Sequence, residues 1–241
     1  MVPEISIRAE EVFHIGSFAV SNSLLLAVCA TVLMIATALI IRSKLNTIPG
    51  RLQGFVELIF DEVLAFMDSV LGSRSKSLKF FPLITSIFLF VVVSNWLGLL
   101  PLGPITIGHV PLLRAPTSDL NFTIVLAIIA VSSVNIMGVL AIGLRRHLSK
   151  FFHNPFKSPI HAFVGLLELV SEFVKIISFS FRLFGNIFAG EVLLLIIGFL
   201  LPYVVPLPFL FLEVFVGVIQ GFIFSMLTVV FIGMATLETN H

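Results

Sequence analysis

Between Pro159 and Leu201 the chain runs almost without interruption through apolar residues. As a single helix these roughly 43 residues would be ~64 Å long at 1.5 Å per residue. That is twice the ~30 Å hydrocarbon core of a bilayer, and an average tilt of ~20° absorbs little of the excess. Such a helix has to lie far over, or run its first part along the interface. Four further stretches, 18–41, 80–100, 120–144 and 206–238, are long enough to cross a membrane. The composition agrees: 58% of residues are hydrophobic and only 11% charged, against roughly 25% charged in a soluble domain. The expected fold is therefore an all-α integral membrane protein, a single membrane domain over 1–241, with five transmembrane helices. A net charge of +1 gives no footprint for nucleic acid, and the single cysteine, Cys29, excludes an internal disulfide or a thiolate metal site. No cofactor is expected. The acidic start, 1–17, lacks the basic n-region of a signal peptide and reads as an external segment before the first span.

The segment 50–72, "GRLQGFVELIFDEVLAFMDSVLG", behaves differently from the spans. Glu57, Asp61 and Asp68 share one helix face while apolar residues fill the others, the pattern of an amphipathic helix lying in the interface. A soluble hairpin between spans is the plainer alternative. Basic residues set an orientation. Arg42, Lys44, Arg51, Arg74, Lys76, Lys79, Arg145, Arg146, Lys150 and Lys157 fall at one end, against Arg8 and Arg114 at the other. The positive-inside rule then puts the N-terminus outside and the C-terminus in the cytoplasm, most simply across a bacterial inner membrane. Pro202, Pro206 and Pro208 turn the long helix, 159–201, back into the last span as an inclined hairpin, which needs a partner to cover it.

Within that hairpin the charged residues are sparse and separated. Helical periodicity of about 100° per residue, counted from Arg182, puts Lys175 at ~20°, Glu168 and Asn186 at ~40°, Glu172 at ~80° and Glu191 at ~180°. Arg182 and Glu191 thus point to opposite sides, and the spacing argues against a local ion pair. The last span adds Glu213 and Gln220, seven apart on one face; a level hairpin turning near residue 204 sets them opposite about residues 195 and 188. An arginine within a span costs ~2.5–3.5 kcal/mol by insertion scales, so intramembrane ionisable groups read as functional. Carboxyls can take up and release protons, whereas arginine stays charged and acts as a fixed electrostatic element. The bland reading makes Glu191 and Glu213 protonated packing groups. Gly185, Ala189 and Gly190, with Gly217 and Gly221 on the last span, permit close approach near the arginine or serve ordinary helix packing. "GNIFAGEV" lacks the Lys-Ser/Thr of a phosphate-binding loop.

At "FRLFGNIFAGE" the chain is similar to the a-subunit family of F-type ATP synthases, the membrane stators that conduct protons against a rotating c-ring; "SNWLGLLP", "PTSDLNFT" and "QGFIFSMLTVVFIGMA" extend the resemblance over essentially the whole chain. The resemblance implies that Arg182 is the essential arginine facing a c-ring carboxylate. It puts Asn186, Glu191 and Gln220 near the outer half-channel, with Glu213 where some relatives carry histidine, and Glu168 near the inner half-channel beside Glu172. Asn95, Asp119 and Asn121 match polar positions on neighbouring spans. It further implies one copy per complex, b-type peripheral-stalk subunits, lipid and protons as partners, and membership of a proton-translocating ATPase with no nucleotide-binding or hydrolytic site in this chain. A sodium-coupled version of the same subunit is the nearest rival. A self-contained secondary transporter would carry internal repeats, and no second copy of the 168–191 pattern occurs. A purely structural scaffold would not require the lone arginine.

Overall fold

The structure is a computed structural model that describes residues 9–43, 45–46, 48–100, 106–107, 110–111, 114–149, 151, 159–201 and 204–236. Arg8, Lys44, Lys150, Lys157, the turn residue Pro202 and the last residues of the expected final span, 237–238, lie outside them. The described elements run β1 (Glu11–Ile15), β2 (Phe18–Ser21), α1 (Asn22–Ser43), α2 (Arg51–Leu71), α3 (Arg74–Leu99), β3 (Thr106–Ile107), β4 (Val110–Pro111), a 3-10 turn (Pro116–Ser118), α4 (Leu120–Ile142), α5 (Leu144–Ser149), α6 (Pro159–Leu200) and α7 (Pro206–Thr236). Five helices, α1, α3, α4, α6 and α7, are long and apolar enough to cross a membrane. The protein is an all-α, multi-pass integral membrane protein.

Two departures from the sequence reading have local causes. Phe18–Ser21 pairs with Glu11–Ile15 as an antiparallel hairpin instead of opening the first span, because Gly16, at φ 64°, supplies the left-handed turn between them. Helix α3 begins at Arg74, earlier than the apolar run, because lysines extend their heads to water while their stems stay on the helix; Lys79 lies over the Phe80 ring at 5.9 Å.

The core is built on α3, α4 and α7. One cluster joins Ile87 and Val91 of α3 with Leu126, Ala127 and Ala130 of α4, Phe179 and Leu183 of α6, and Phe224 of α7. A second, nearer the basic end of the bundle, brings Val63, Met67 and Leu71 of α2 against Phe80, Ile84, Val134, Val229 and Ile232. Helix α2 is thus amphipathic as expected: that stripe is buried while Glu57, Asp61 and Glu62 are exposed. It stops at Gly72, whose left-handed conformation (φ 64°) lets its N–H reach the Asp68 carbonyl. The Ser77 hydroxyl and the Arg74 guanidinium, 2.8 Å away, hold the Asp68 carboxyl below the usual range and close this corner.

Gly217 and Gly221 face α3, not the arginine. A Cβ on Gly221 would lie 2.7 Å from Val92 Cγ2 and 3.3 Å from the Phe88 carbonyl oxygen, and one on Gly217 would lie 3.0 Å from Asn95 Cβ. Their missing side chains leave room for α3 side chains and the Phe88 carbonyl, so α3 and α7 pack closely. Trp96, at the far end of α3, donates its Nε1–H to the Val214 carbonyl at 3.1 Å. Helix α6 spans 42 residues, about 63 Å. It packs on α4 and α7 by one side and leaves Phe163, Leu166, Val170, Phe173, Val174, Ile177 and Phe181 exposed.

Candidate functional site

Helices α6 and α7 run antiparallel: Gly190 meets Glu213, Phe179 stacks edge-on against Phe224 at 4.8 Å, and Lys175 lies over Phe231 at 4.8 Å. The buried side of α6 is Phe179, Ser180, Leu183, Ile187 and Gly190. Ser180 is fixed there by a 3.0 Å hydroxyl contact with Thr123 of α4. A helix facing inward through those positions must turn Ser178, Arg182, Gly185, Asn186 and Ala189 outward. Ser178, Arg182 and Gly185 lie on the outer side, with Asn186 and Ala189 at the edge of the α7 contact. Among the described residues the Arg182 guanidinium donates only to the Ser178 hydroxyl, at 3.4 Å, and makes no ion pair with a carboxylate. A Cβ on Gly185 would meet nothing within 4 Å. A permanent charge therefore stands on an otherwise apolar outer surface, between small neighbours, with its counter-charge not supplied by the described residues.

One turn from Arg182 a cleft of about 330 Å³ opens between α6 and α7, lined by Asn186, Ala189, Gly190, Leu193, Glu213, Val216, Ile219 and Gln220. It brings together Asn186, Glu213 and Gln220, three of the sequence candidates. Glu213 is 6% exposed, and its carboxylate occupies the space where a side chain on Gly190 would sit. The level-hairpin expectation of a meeting near residue 195 is therefore off by more than a turn. The carboxylate settles where the facing helix has no Cβ to exclude it.

Glu191 is not in this cleft. It lies on the other side of α6 from Arg182, and its Oε2 is 3.5 Å from Nε of Arg114. Arg114 is itself buried. Its Nε donates to the Ser118 hydroxyl at 3.0 Å and its Nη2 to the Ser118 carbonyl at 3.3 Å, while its guanidinium lies 5.9 Å from the centre of the Phe188 ring. Sequence reasoning passed over Arg114, counting it only as one of two basic residues at its end of the chain. Its place beside the turn "PTSD" is the one local signal, and it says nothing of the pairing with Glu191.

Asn95, Asp119 and Asn121 have legible local roles. Asn95 is buried; its amide donates to the Gly217 carbonyl at 3.3 Å and its oxygen accepts from the Thr117 hydroxyl, so it ties α3, α7 and the 3-10 turn together. Asp119 caps α4, accepting the backbone N–H of Asn121 at 3.0 Å. The Asn121 side chain is exposed. Replacing Asn95 by leucine should leave the buried Thr117 hydroxyl unpaired, at a cost of about 1–3 kcal/mol. A lower melting temperature of the purified protein in detergent is the expected result. An unchanged melting temperature with impaired proton conduction would instead make Asn95 a pathway residue.

At the basic end, Glu172 is held from two sides. Lys175 Nζ donates to its Oε1, and Asn135 Nδ2 of α4 donates to its Oε2 at 3.0 Å. Glu172 and Asn135 border a cavity of about 490 Å³ between α4, α5 and α6. Glu168, one turn nearer the helix start, is half-buried. Along α6, Glu172 lies ten residues, about 15 Å, from Arg182, and the Asn186 cleft begins on the arginine's other side.

Comparison with known proteins bears on this arrangement. The ATP synthase A chain family matches residues 24–233. ATP synthase subunit a of Gloeobacter violaceus is 38% identical over 205 residues, covering 84% of this chain and 78% of the relative. Those of Trichlorobacter lovleyi and Moorella thermoacetica are 31% and 28% identical over 239 and 229 residues, covering 98% and 94% of this chain and 96% and 95% of the relatives. With the match extending from the first span to the last, and the arginine-bearing helix inside it, the chain belongs to the ATP synthase A chain family.

Proposed function

We propose that the chain is the proton-conducting stator of an F-type ATP synthase, working as one copy against a rotating c-ring and held by b-type peripheral-stalk subunits. The observation that carries this is Arg182: an exposed guanidinium on a helix long and apolar enough to cross a membrane, without a described carboxylate partner and beside the open position of Gly185. The proposed orientation has the basic end in the cytoplasm, by the positive-inside rule.

In this reading a proton enters from the outer side through the cleft of Asn186, Glu213 and Gln220, with Glu191 and its partner Arg114 shaping the approach from the other face of α6. It neutralises a carboxylate on a rotor helix, which can then face lipid as the ring turns. The proton leaves on the side of Glu172 and Glu168. Arg182 attracts the returning anion and, as a fixed positive charge, bars a proton from passing directly between the two polar regions. Each charge moved through 100 mV supplies ~2.3 kcal/mol, so several must pass for each ATP made by partner subunits.

The test is a cross-link. A Gly185→Cys variant on a Cys29→Ser background, in the complete ATP synthase, should form a disulfide with a cysteine placed beside the rotor carboxylate. An assembled complex giving no cross-link at any position around that carboxylate would sink the reading. ATP-driven acidification of vesicles in sodium-free buffer separates proton from sodium coupling.

A further inference from the structure

Around Glu172 the hydrogen bonds continue into a residue that the proton path above does not use. Asn135 spends both hydrogens of its Nδ2, one on the Val131 carbonyl at 3.1 Å and one on Glu172 Oε2. Its Oδ1 is therefore the group facing His147, 3.1 Å from Nε2. Since an amide oxygen only accepts, Nε2 must carry a hydrogen, in the neutral ring as in the charged one. Turning the amide over would set its oxygen against the Glu172 carboxylate, acceptor against acceptor. The His147 ring is 5% exposed, seated edge-on to Phe151 and against Gly138, where a Cβ would come within 2.8 Å of the ring. Helix α5 thus fixes the ring, the ring fixes the amide, and the amide fixes the carboxylate.

We infer that His147 is a positioning residue for Glu172, acting through the Asn135 amide to hold that carboxylate in the geometry that takes up protons leaving toward the basic end. This rests on the reading of Glu172 as part of the proton path. The charged groups around the link are Arg145 and Arg146 on α5 and Glu168, Glu172 and Lys175 on α6. Helix α4 carries none, and the Glu213 of α7 lies toward the opposite end.

Complete ATP synthase in vesicles provides the test, through passive proton conduction and its dependence on pH at the basic-end side. His147→Leu removes the donor and should slow conduction about tenfold and shift the pH profile. His147→Gln, whose amide can donate to Asn135 without titrating, should restore the rate to within about twofold and return the profile. Should the leucine variant not assemble, Asn135→Ser breaks the same link and should show the same loss. Wild-type rate and profile in an assembled His147→Leu or Asn135→Ser complex overturns the inference, as does a glutamine variant as slow as the leucine one. Glu172→Gln run alongside separates the two readings. Slow conduction there with His147→Leu unaffected defeats only the role of His147, whereas unchanged conduction in Glu172→Gln defeats the exit assignment itself.

Discussion

Arg182→Ala is expected to abolish ATP-driven proton pumping by the complete complex while leaving its assembly largely intact. Assembly should survive because the side chain is exposed, and its one hydrogen bond among the described residues is to Ser178 a turn away. Removing it even relieves the ~2.5–3.5 kcal/mol that an arginine costs within a span. Function should fail for the opposite reason. On the proposed reading, without a fixed positive charge nothing draws a rotor carboxylate out of its neutral form, and nothing keeps a proton from slipping between the polar regions around Asn186 and Glu172. Arg182→Lys should also fail in large part, because an ammonium is shorter and can lose its proton. The measurement is quenching of a pH-sensitive dye on ATP addition, with subunit content checked on the same vesicles. Normal pumping by the alanine variant would remove Arg182 from the mechanism.

Gly190→Ala should cut passive proton conduction at least about tenfold, from the single methyl added. The new Cβ would overlap the Glu213 carboxylate, and overpacking of that kind costs about 1–3 kcal/mol. The carboxylate has somewhere to go, because the neighbouring cleft of about 330 Å³ is open beside it. So the expected outcome is an assembled complex with a displaced Glu213 carboxylate rather than a collapsed one. Shortening the acid in the double variant Gly190→Ala with Glu213→Asp should recover part of the rate, since aspartate withdraws the carboxylate by one methylene. Full conduction in Gly190→Ala alone, or no recovery in the double variant, would show that contact between these two positions does not control the path.

What the sequence made legible followed from periodicity and length. The five spans, the amphipathic stripe of α2 and the length of α6 come directly from hydropathy, and helical periodicity was enough to set Arg182 and Glu191 on opposite sides of one helix. What it could not supply was contact across the bundle. Arg114 and Glu191 are brought together by the fold of a turn onto α6, and no local pattern encodes that pairing. The height at which α7 meets α6, more than a turn from the level-hairpin position, is shared by Gly190 with Glu213 and Phe179 with Phe224, and the absent side chain at Gly190 leaves room there for the carboxylate. The Gly217/Gly221 pair was legible as a close-packing motif, but not which helix it would face. Asp119 carries two signals at once: an aspartate just before an apolar run marks a helix cap, which the structure shows, while the family resemblance makes it a polar pathway position.

The close seam between α3 and α7 has a mechanical consequence. Torque in a rotary machine acts equally on the part that turns and the part that stays. On the proposed reading, a rotor pressing on the Arg182 face loads α6 sideways, into α4 and α7. Gly217 and Gly221 leave room on α7 for Val92, Asn95 and the Phe88 carbonyl of α3 to press against its backbone, so the packing behind the loaded wall is close. On this view the two glycines give the bearing its stiffness, and a bulky residue at Gly221 would be felt as slippage between fuel consumed and rotation delivered.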